Sequence, residues 1–90
     1  MPKVKFTRAL KRFYPDLMTL DMEAGSVAEV INQLNNDYPG LKDYIVDERG
    51  KLRPHVNIFI QNTIINDRET LADVLQPDDE IYIMQALSGG

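Results

Sequence analysis

Gly25-Ser26-Val27-Ala28-Glu29-Val30-Ile31-Asn32-Gln33-Leu34-Asn35-Asn36-Asp37-Tyr38-Pro39-Gly40 is the stretch on which the fold turns. Ser26 followed three residues later by Glu29 is a capping box, in which each residue satisfies a backbone N–H that the first helical turn leaves free. Val27, Val30, Ile31, Leu34 and Tyr38 recur at i, i+3, i+4, i+7 and i+11, a single apolar stripe. Glu29, Asn32, Gln33, Asn35 and Asn36 fill the other face. Pro39-Gly40 cannot continue the helix. The spacing predicts a helix from about 27 to 38 with one face to bury.

The segments on either side supply something to bury it against. Val4, Phe6 and Ala9-Leu10 read as the apolar beats of a first strand, with Lys3, Lys5, Thr7 and Arg8 mostly between them. Phe13-Tyr14-Pro15-Asp16 reads as a turn. Leu17, Met18, Leu20 and Met22 read as a second strand, so an N-terminal hairpin is expected. Beyond the helix, Leu41 to Asp47 looks short and partly helical, and Glu48-Arg49-Gly50-Lys51 is a polar turn. His55 to Gln61 alternates as a strand with Val56, Ile58 and Ile60 on one face. Asn62-Thr63 reads as a tight turn into a short returning strand at Ile64-Ile65. Thr70 to Leu75 suggests one helical turn, and a last strand is expected from about Glu80 to Ala86. One long helix on one face of a small mixed sheet is an α+β arrangement, with the first and last strands central and parallel. No linker or repeat interrupts the chain. The expected organisation is one domain over residues 1–87 and a flexible tail over 88–90.

Composition removes several function classes. The chain has 90 residues and a formal charge of −4, with acids and bases intermixed. Nucleic acid requires a basic face, and none is evident. There are no cysteines, so a disulfide scaffold, a thiolate metal site and a cysteine nucleophile are excluded. Met1-Pro2-Lys3 leads into an amphipathic stretch rather than a secretory h-region. No run approaches the roughly 20 apolar residues of a membrane helix. A cytoplasmic protein that binds neither nucleic acid nor membrane is the expectation.

The chain closes on Ser88-Gly89-Gly90. A terminal Gly-Gly adds nothing to a core and costs backbone entropy if ordered. It suits a thin arm that presents the Gly90 carboxylate to another protein, the alternative being an ordinary frayed end. The order of elements, Val56-Asn57-Ile58-Phe59-Ile60, Leu75-Gln76-Pro77-Asp78-Asp79-Glu80-Ile81 and the free Gly89-Gly90 together resemble the ubiquitin-like β-grasp fold, and within it the MoaD/ThiS family of sulfur-carrier proteins. The resemblance spans essentially the whole chain. It departs from the family at Gln85-Ala86-Leu87-Ser88, which lacks the proline often found before Gly-Gly, and at Asn62-Thr63 in place of Asn-Gly.

Membership would imply that an E1-like enzyme uses ATP and magnesium to adenylate Gly90, with Gly89 beside it. A persulfide sulfur would then replace AMP and leave a thiocarboxylate. The chain would be a protein cosubstrate, not an enzyme, with no cofactor of its own. The sulfur-accepting partner would be a cysteine-synthase-like enzyme or the large subunit of molybdopterin synthase. Gly50 to Ile58 looks more like the carriers paired with cysteine-synthase-type enzymes. Two rivals stand beside this reading: a protein modifier conjugated through Gly90, and a β-grasp interaction module whose Gly-Gly is incidental.

Alternation also predicts a second surface. If Val56, Ile58, Ile60, Ile81 and Ile83 face the helix, Phe59, Tyr82 and Met84 face the other way. With Leu87 they form a candidate partner-docking patch. His55 reads as a surface histidine at a strand end. Asp78-Asp79-Glu80 reads as an acidic turn, and Ser88 has no His/Asp partners for nucleophilic catalysis. No metal site and no catalytic residue is expected in this chain.

Overall fold

The computed structural model describes residues 1–85. Ala86, Leu87 and Gly89-Gly90, and with them the expected boundary between domain and tail, lie outside the described residues. In chain order the elements are β1 (Lys3–Phe6), α1 (Arg8–Phe13), β2 (Leu20–Asp21), α2 (Val27–Asp37), α3 (Leu41–Ile45), β3 (Val56–Ile60), β4 (Thr63–Ile64) and β5 (Glu80–Gln85). The strands form one sheet in the order β2-β1-β5-β3-β4. β1 and β5 pair in parallel, with Val4 opposite Ile81 and Phe6 opposite Ile83. The other pairings are antiparallel. This is the expected mixed-sheet β-grasp, with α2 as its long helix and two short helices added.

The core follows from two periodicities. Val4 and Phe6, Val56 and Ile58, and Ile81 and Ile83 are buried on one face of the sheet. Val27, Val30, Ile31 and Leu34 of α2 join them in a single apolar cluster. Each such side chain taken fully from water contributes about 1.5–3 kcal/mol. Ser26 caps α2 by accepting from the Glu29 N–H at 3.3 Å. The Glu29 carboxylate reaches back to the Gly25 N–H, one residue earlier than the reciprocal bond of a standard capping box. After α2, Gly40 adopts φ +90° at the start of α3, and a Cβ there would lie 3.0 Å from the Tyr14 hydroxyl. A side chain at that position meets both backbone strain and a clash.

Three local expectations change. Ala9 and Leu10 belong to α1, not to β1. Both are buried in succession, which a strand facing one core cannot arrange and a helix can. The N-terminal hairpin is therefore real in its pairing, but residues 7–19 intervene, and β2 is reduced to Leu20–Asp21. Met18 is exposed rather than alternating inward. α1 is held by aromatic contacts: Phe13 stacks on Tyr44 at 4.7 Å, and Tyr14 meets Tyr38 and Tyr44 edge-on. In the second hairpin the connecting residues are Gln61 and Asn62, because Ile60 pairs with Thr63. Gln61 takes φ +57° there, and its backbone N–H and side-chain oxygen both bond Glu80, at 2.8 and 2.6 Å.

The third change is the segment 70–75, which is not helical. The Leu75 N–H donates to the Gly25 carbonyl at 2.9 Å rather than back to Leu71, and carboxylates order the loop that leads in. Asp67 accepts from the N–H groups of Glu69, Thr70 and Ala72 and from the Thr70 hydroxyl. Asp73 accepts from the N–H groups of Asn66 and Asp67. Leu71 is driven to φ +57° with its side chain buried, and its carbonyl accepts from Ala28 N–H at 2.8 Å. Tertiary backbone partners at the start of α2 thus take the groups that a helical turn would have paired.

These bonds, led by the Thr70 hydroxyl, lower the Asp67 pKa from 3.8 to about 2. A depressed folded-state pKa contributes stability above the unfolded value, and that stability is lost as pH falls toward the folded one. Asp67→Ala should therefore lower the melting temperature by a few degrees near neutral pH. The gap to wild type should close between about pH 4 and pH 2, read from thermal melts across that range. A gap independent of pH would remove Asp67 from this role.

Candidate functional site

The sheet face opposite α2 is open, and its registers sort it into rows across the strands. One row is charged: Asp21 of β2 lies opposite Lys3 of β1, and Lys3 opposite Glu80 of β5. The next is mainly apolar: Ile64 of β4, Phe59 of β3, Tyr82 of β5 and then Lys5 of β1. The last pairs Asn57 of β3 with Met84 of β5. Tyr82, Met84 and Ile64 are 39%, 40% and 45% exposed, while Phe59 between its neighbours is half-buried. Phe59, Tyr82 and Met84 thus share the face that alternation assigns them, with Phe59 more enclosed than a free patch residue would be. Leu87 lies outside the described residues.

Two polar devices frame the rows. Lys5 Nζ lies 2.7 Å from the Glu80 carboxylate, and this contact holds the Glu80 carboxyl below its usual range. Arg68, half-buried, clamps the start of β3. Its guanidinium donates to Asn57 Oδ1 at 2.9 Å and to the carbonyls of Arg53 and Val56 at 2.8 and 2.9 Å. Neither Ile64 nor Arg68 was expected here. Ile64 could have been placed by extending the alternation across the hairpin, but Arg68 reaches Asn57 only through the loop geometry of 66–75.

β5 ends beside the start of α1. The Thr7 N–H donates to the Ile83 carbonyl at 3.2 Å, and the Gln85 N–H donates to the Thr7 hydroxyl at 3.2 Å. His55 is exposed at the head of β3, as expected of a surface histidine, with Nε2 3.5 Å from Gln85 Nε2. Asp43, Tyr44, Arg53, His55 and Gln85 line a shallow cleft there. Among the described residues no three His, Asp or Glu side chains gather where they could hold a metal ion. No helix among them is long and apolar enough to cross a membrane.

The ThiS family model matches residues 4–90. No curated protein matches the sequence. Among solved structures, small archaeal modifier protein 1 (SAMP1) from Methanosarcina acetivorans is 32% identical with a TM-score of 0.77, over 99% of this chain and 95% of that one. CysO of Amycolatopsis orientalis, crystallised in complex with BexX, is 19% identical with a TM-score of 0.83 over the full length of both chains. CysO of Mycobacterium tuberculosis is 21% identical with a TM-score of 0.82, over 97% of this chain and 100% of that one. The two CysO structures share the fold.

The Arg68 clamp and the open face should separate in stability measurements. Arg68→Ala leaves two carbonyls and Asn57 without their cationic donor and is expected to cost about 2 kcal/mol. Met84→Ala, on the open face, should stay within about 0.5 kcal/mol. Urea unfolding of the two variants checks this, and equal losses would contradict it.

Proposed function

The chain belongs to the ThiS family, and from that premise we propose that it carries sulfur on its C-terminal Gly90. The observation that carries the reading is the family match itself, which runs through the fold to Gly90. A carboxylate is a poor electrophile. Attack of the Gly90 carboxylate on the α-phosphorus of ATP, in an E1-like partner that holds the magnesium, releases pyrophosphate and leaves an acyl-adenylate. A persulfide sulfur then attacks the carbonyl and AMP departs. A thiol reductant cleaves the resulting acyl disulfide, leaving the thiocarboxylate and an oxidised thiol. Gly89 and Gly90, without side chains, suit a narrow channel in the partner.

In this scheme the chain is a cosubstrate and works in the cytoplasm. The described residues assemble no nucleophile with a base beside it, and the partners bring the acid–base chemistry. The rows containing Ile64, Phe59, Tyr82 and Met84 form the docking surface, and Leu87 is a further contact of the partner. The acceptor is a cysteine-synthase-like enzyme or the large subunit of molybdopterin synthase. A second reading, conjugation of Gly90 to target lysines, is favoured by one observation: the 32% identical archaeal relative is named a modifier protein. Both readings share the adenylation step and part at the acceptor.

Intact-protein mass spectrometry of untagged chain from its host, with mapping of the C-terminal peptide, tests the reading. Exchange of oxygen for sulfur at Gly90 adds about 16 Da, and the peptide map distinguishes it from methionine oxidation. Thiocarboxylate without conjugate ladders supports the carrier, ladders support the modifier, and neither after incubation with ATP, sulfide and host extract overturns both.

Deletion of Gly90 should abolish charging while leaving the melting temperature nearly unchanged. Ile31→Asp should do the reverse by burying a charge, a loss of about 3 kcal/mol or more. Phe59→Ala should weaken partner binding about tenfold at a stability cost of about 1 kcal/mol. A tail deletion that unfolds the chain would contradict this division.

A further inference from the structure

Helix α1 carries a surface that the open sheet face does not account for. Arg8, Lys11 and Arg12 stand at i, i+3 and i+4, one side of a helix, and all three are exposed, while Ala9 and Leu10 turn into the core. Like charges at these spacings repel. The first turn of a helix favours acids, and α1 has none there; it begins instead with Arg8. The ion pairs among the described residues are Lys5–Glu80 and Lys51–Glu69, so none of the three cations enters one. Neither Asp16, just past α1, nor Asp43 of α3 forms an ion pair with them. The whole chain carries −4, so the cluster does not follow from a basic composition. Lys11 and Arg12 in the last turn suit the helix dipole, but the mutual repulsion of the three opposes the helix, and no ion pair among the described residues offsets it.

Its position gives the cluster a use. Thr7 bonds both Ile83 and Gln85, so α1 starts beside the last described residue of β5, five positions before Gly90 in the sequence. Phe13, 54% exposed at the other end of α1, follows Arg12 in the sequence and stacks on Tyr44. Arginine beside an exposed aromatic suits a protein interface. Three cations on an acidic chain are too few for a nucleic acid.

We propose that α1 docks against an acidic patch on the adenylating partner, through Arg8, Lys11 and Arg12, and so orients the chain as its terminus enters the partner's channel. The proposal rests on the carrier reading above. It assigns to α1 the charge-dependent part of recognition, and to the sheet face the apolar part.

The test is ATP–pyrophosphate exchange driven by the full-length chain and the host's purified activating enzyme. The variant Arg8→Glu, Lys11→Glu, Arg12→Glu should slow exchange about tenfold near 50 mM salt, with the gap narrowing near 500 mM as screening weakens the wild type. Lys42→Glu, Arg49→Glu, Lys51→Glu imposes the same charge change on another surface and should alter the rate less than twofold. Circular dichroism establishes that each variant folds. The milder Arg8→Ala, Lys11→Ala, Arg12→Ala serves if the reversal does not fold, with a smaller loss in the same direction. Wild-type rates in the α1 variants, equal slowing by both reversals, or competition by added RNA at the α1 cluster would each overturn the proposal. If the folded wild type supports no exchange at all, the carrier reading falls and α1 docking with it. If wild type is active and α1 is indifferent, only the docking falls.

Discussion

The parallel pairing of β1 with β5 is the constraint on which the rest of the structure depends. It joins Lys3–Phe6 to Glu80–Gln85, nearly the two ends of the chain, and so closes a loop of most of the molecule. Such non-local pairing is entropically costly and must be repaid by burial. Val4, Phe6, Ile81 and Ile83 lie on one face in that register and are buried together. Parallel strands cannot be joined by a tight turn, so the connection has to cross over, and α2 is the element that covers the buried face as it does so. The same register puts the C-terminal ends of β1 and β5 side by side. That is why α1, which follows β1, stands where the chain leaves β5.

What was legible in the sequence was whatever has a local cause. α2 announces itself through Ser26, Glu29 and a 3.6-residue apolar period, and its observed span of Val27–Asp37 differs from the reading by a single residue. β3 and β5 alternate cleanly, so the facing of Phe59, Tyr82 and Met84 followed from parity alone. The failures have a common physical origin. At Ala9-Leu10 and at Thr70 to Leu75, tertiary partners decide between conformations that local composition leaves close in energy. Leu10 has a core to enter and Phe13 a tyrosine to stack on, so residues 8–13 coil. The Leu71 carbonyl and the Leu75 N–H, which a helical turn over 70–75 would have paired with each other, bond Ala28 and Gly25 instead, so those residues do not. The Arg68 clamp on Asn57 depends on that loop and was therefore equally out of reach.

The two sheet faces divide the work. Among the described residues the large buried side chains lie in one cluster, and no polar or charged residue is buried with them. With stability supplied there, the opposite face is free to keep tyrosine, methionine and isoleucine in water at little cost, since each is only partly exposed and flanked by its neighbours. Lys5–Glu80 contributes little to folding, as an exposed pair does. It links the charged row, at Glu80, to the neighbouring row, at Lys5. Along the strands the face thus runs from charge through apolar surface to the Asn57–Met84 pair.

The distribution of perturbed ionisable groups makes the same division from another direction. Carboxyls with shifted pKa values often mark active sites. Here the lowered ones are Asp67, Asp47 and Glu80, and each has a structural cause: loop N–H groups and a hydroxyl for Asp67, the Lys51 N–H first among several for Asp47, and the Lys5 ammonium for Glu80. Tyr14 is raised mainly by desolvation within the aromatic cluster, where its hydroxyl donates to the Pro39 carbonyl. None of these groups shares a cleft with a second group of complementary tuning, which general acid–base catalysis requires. The lowered carboxyls among the described residues thus have loop and strand-edge structure as their cause.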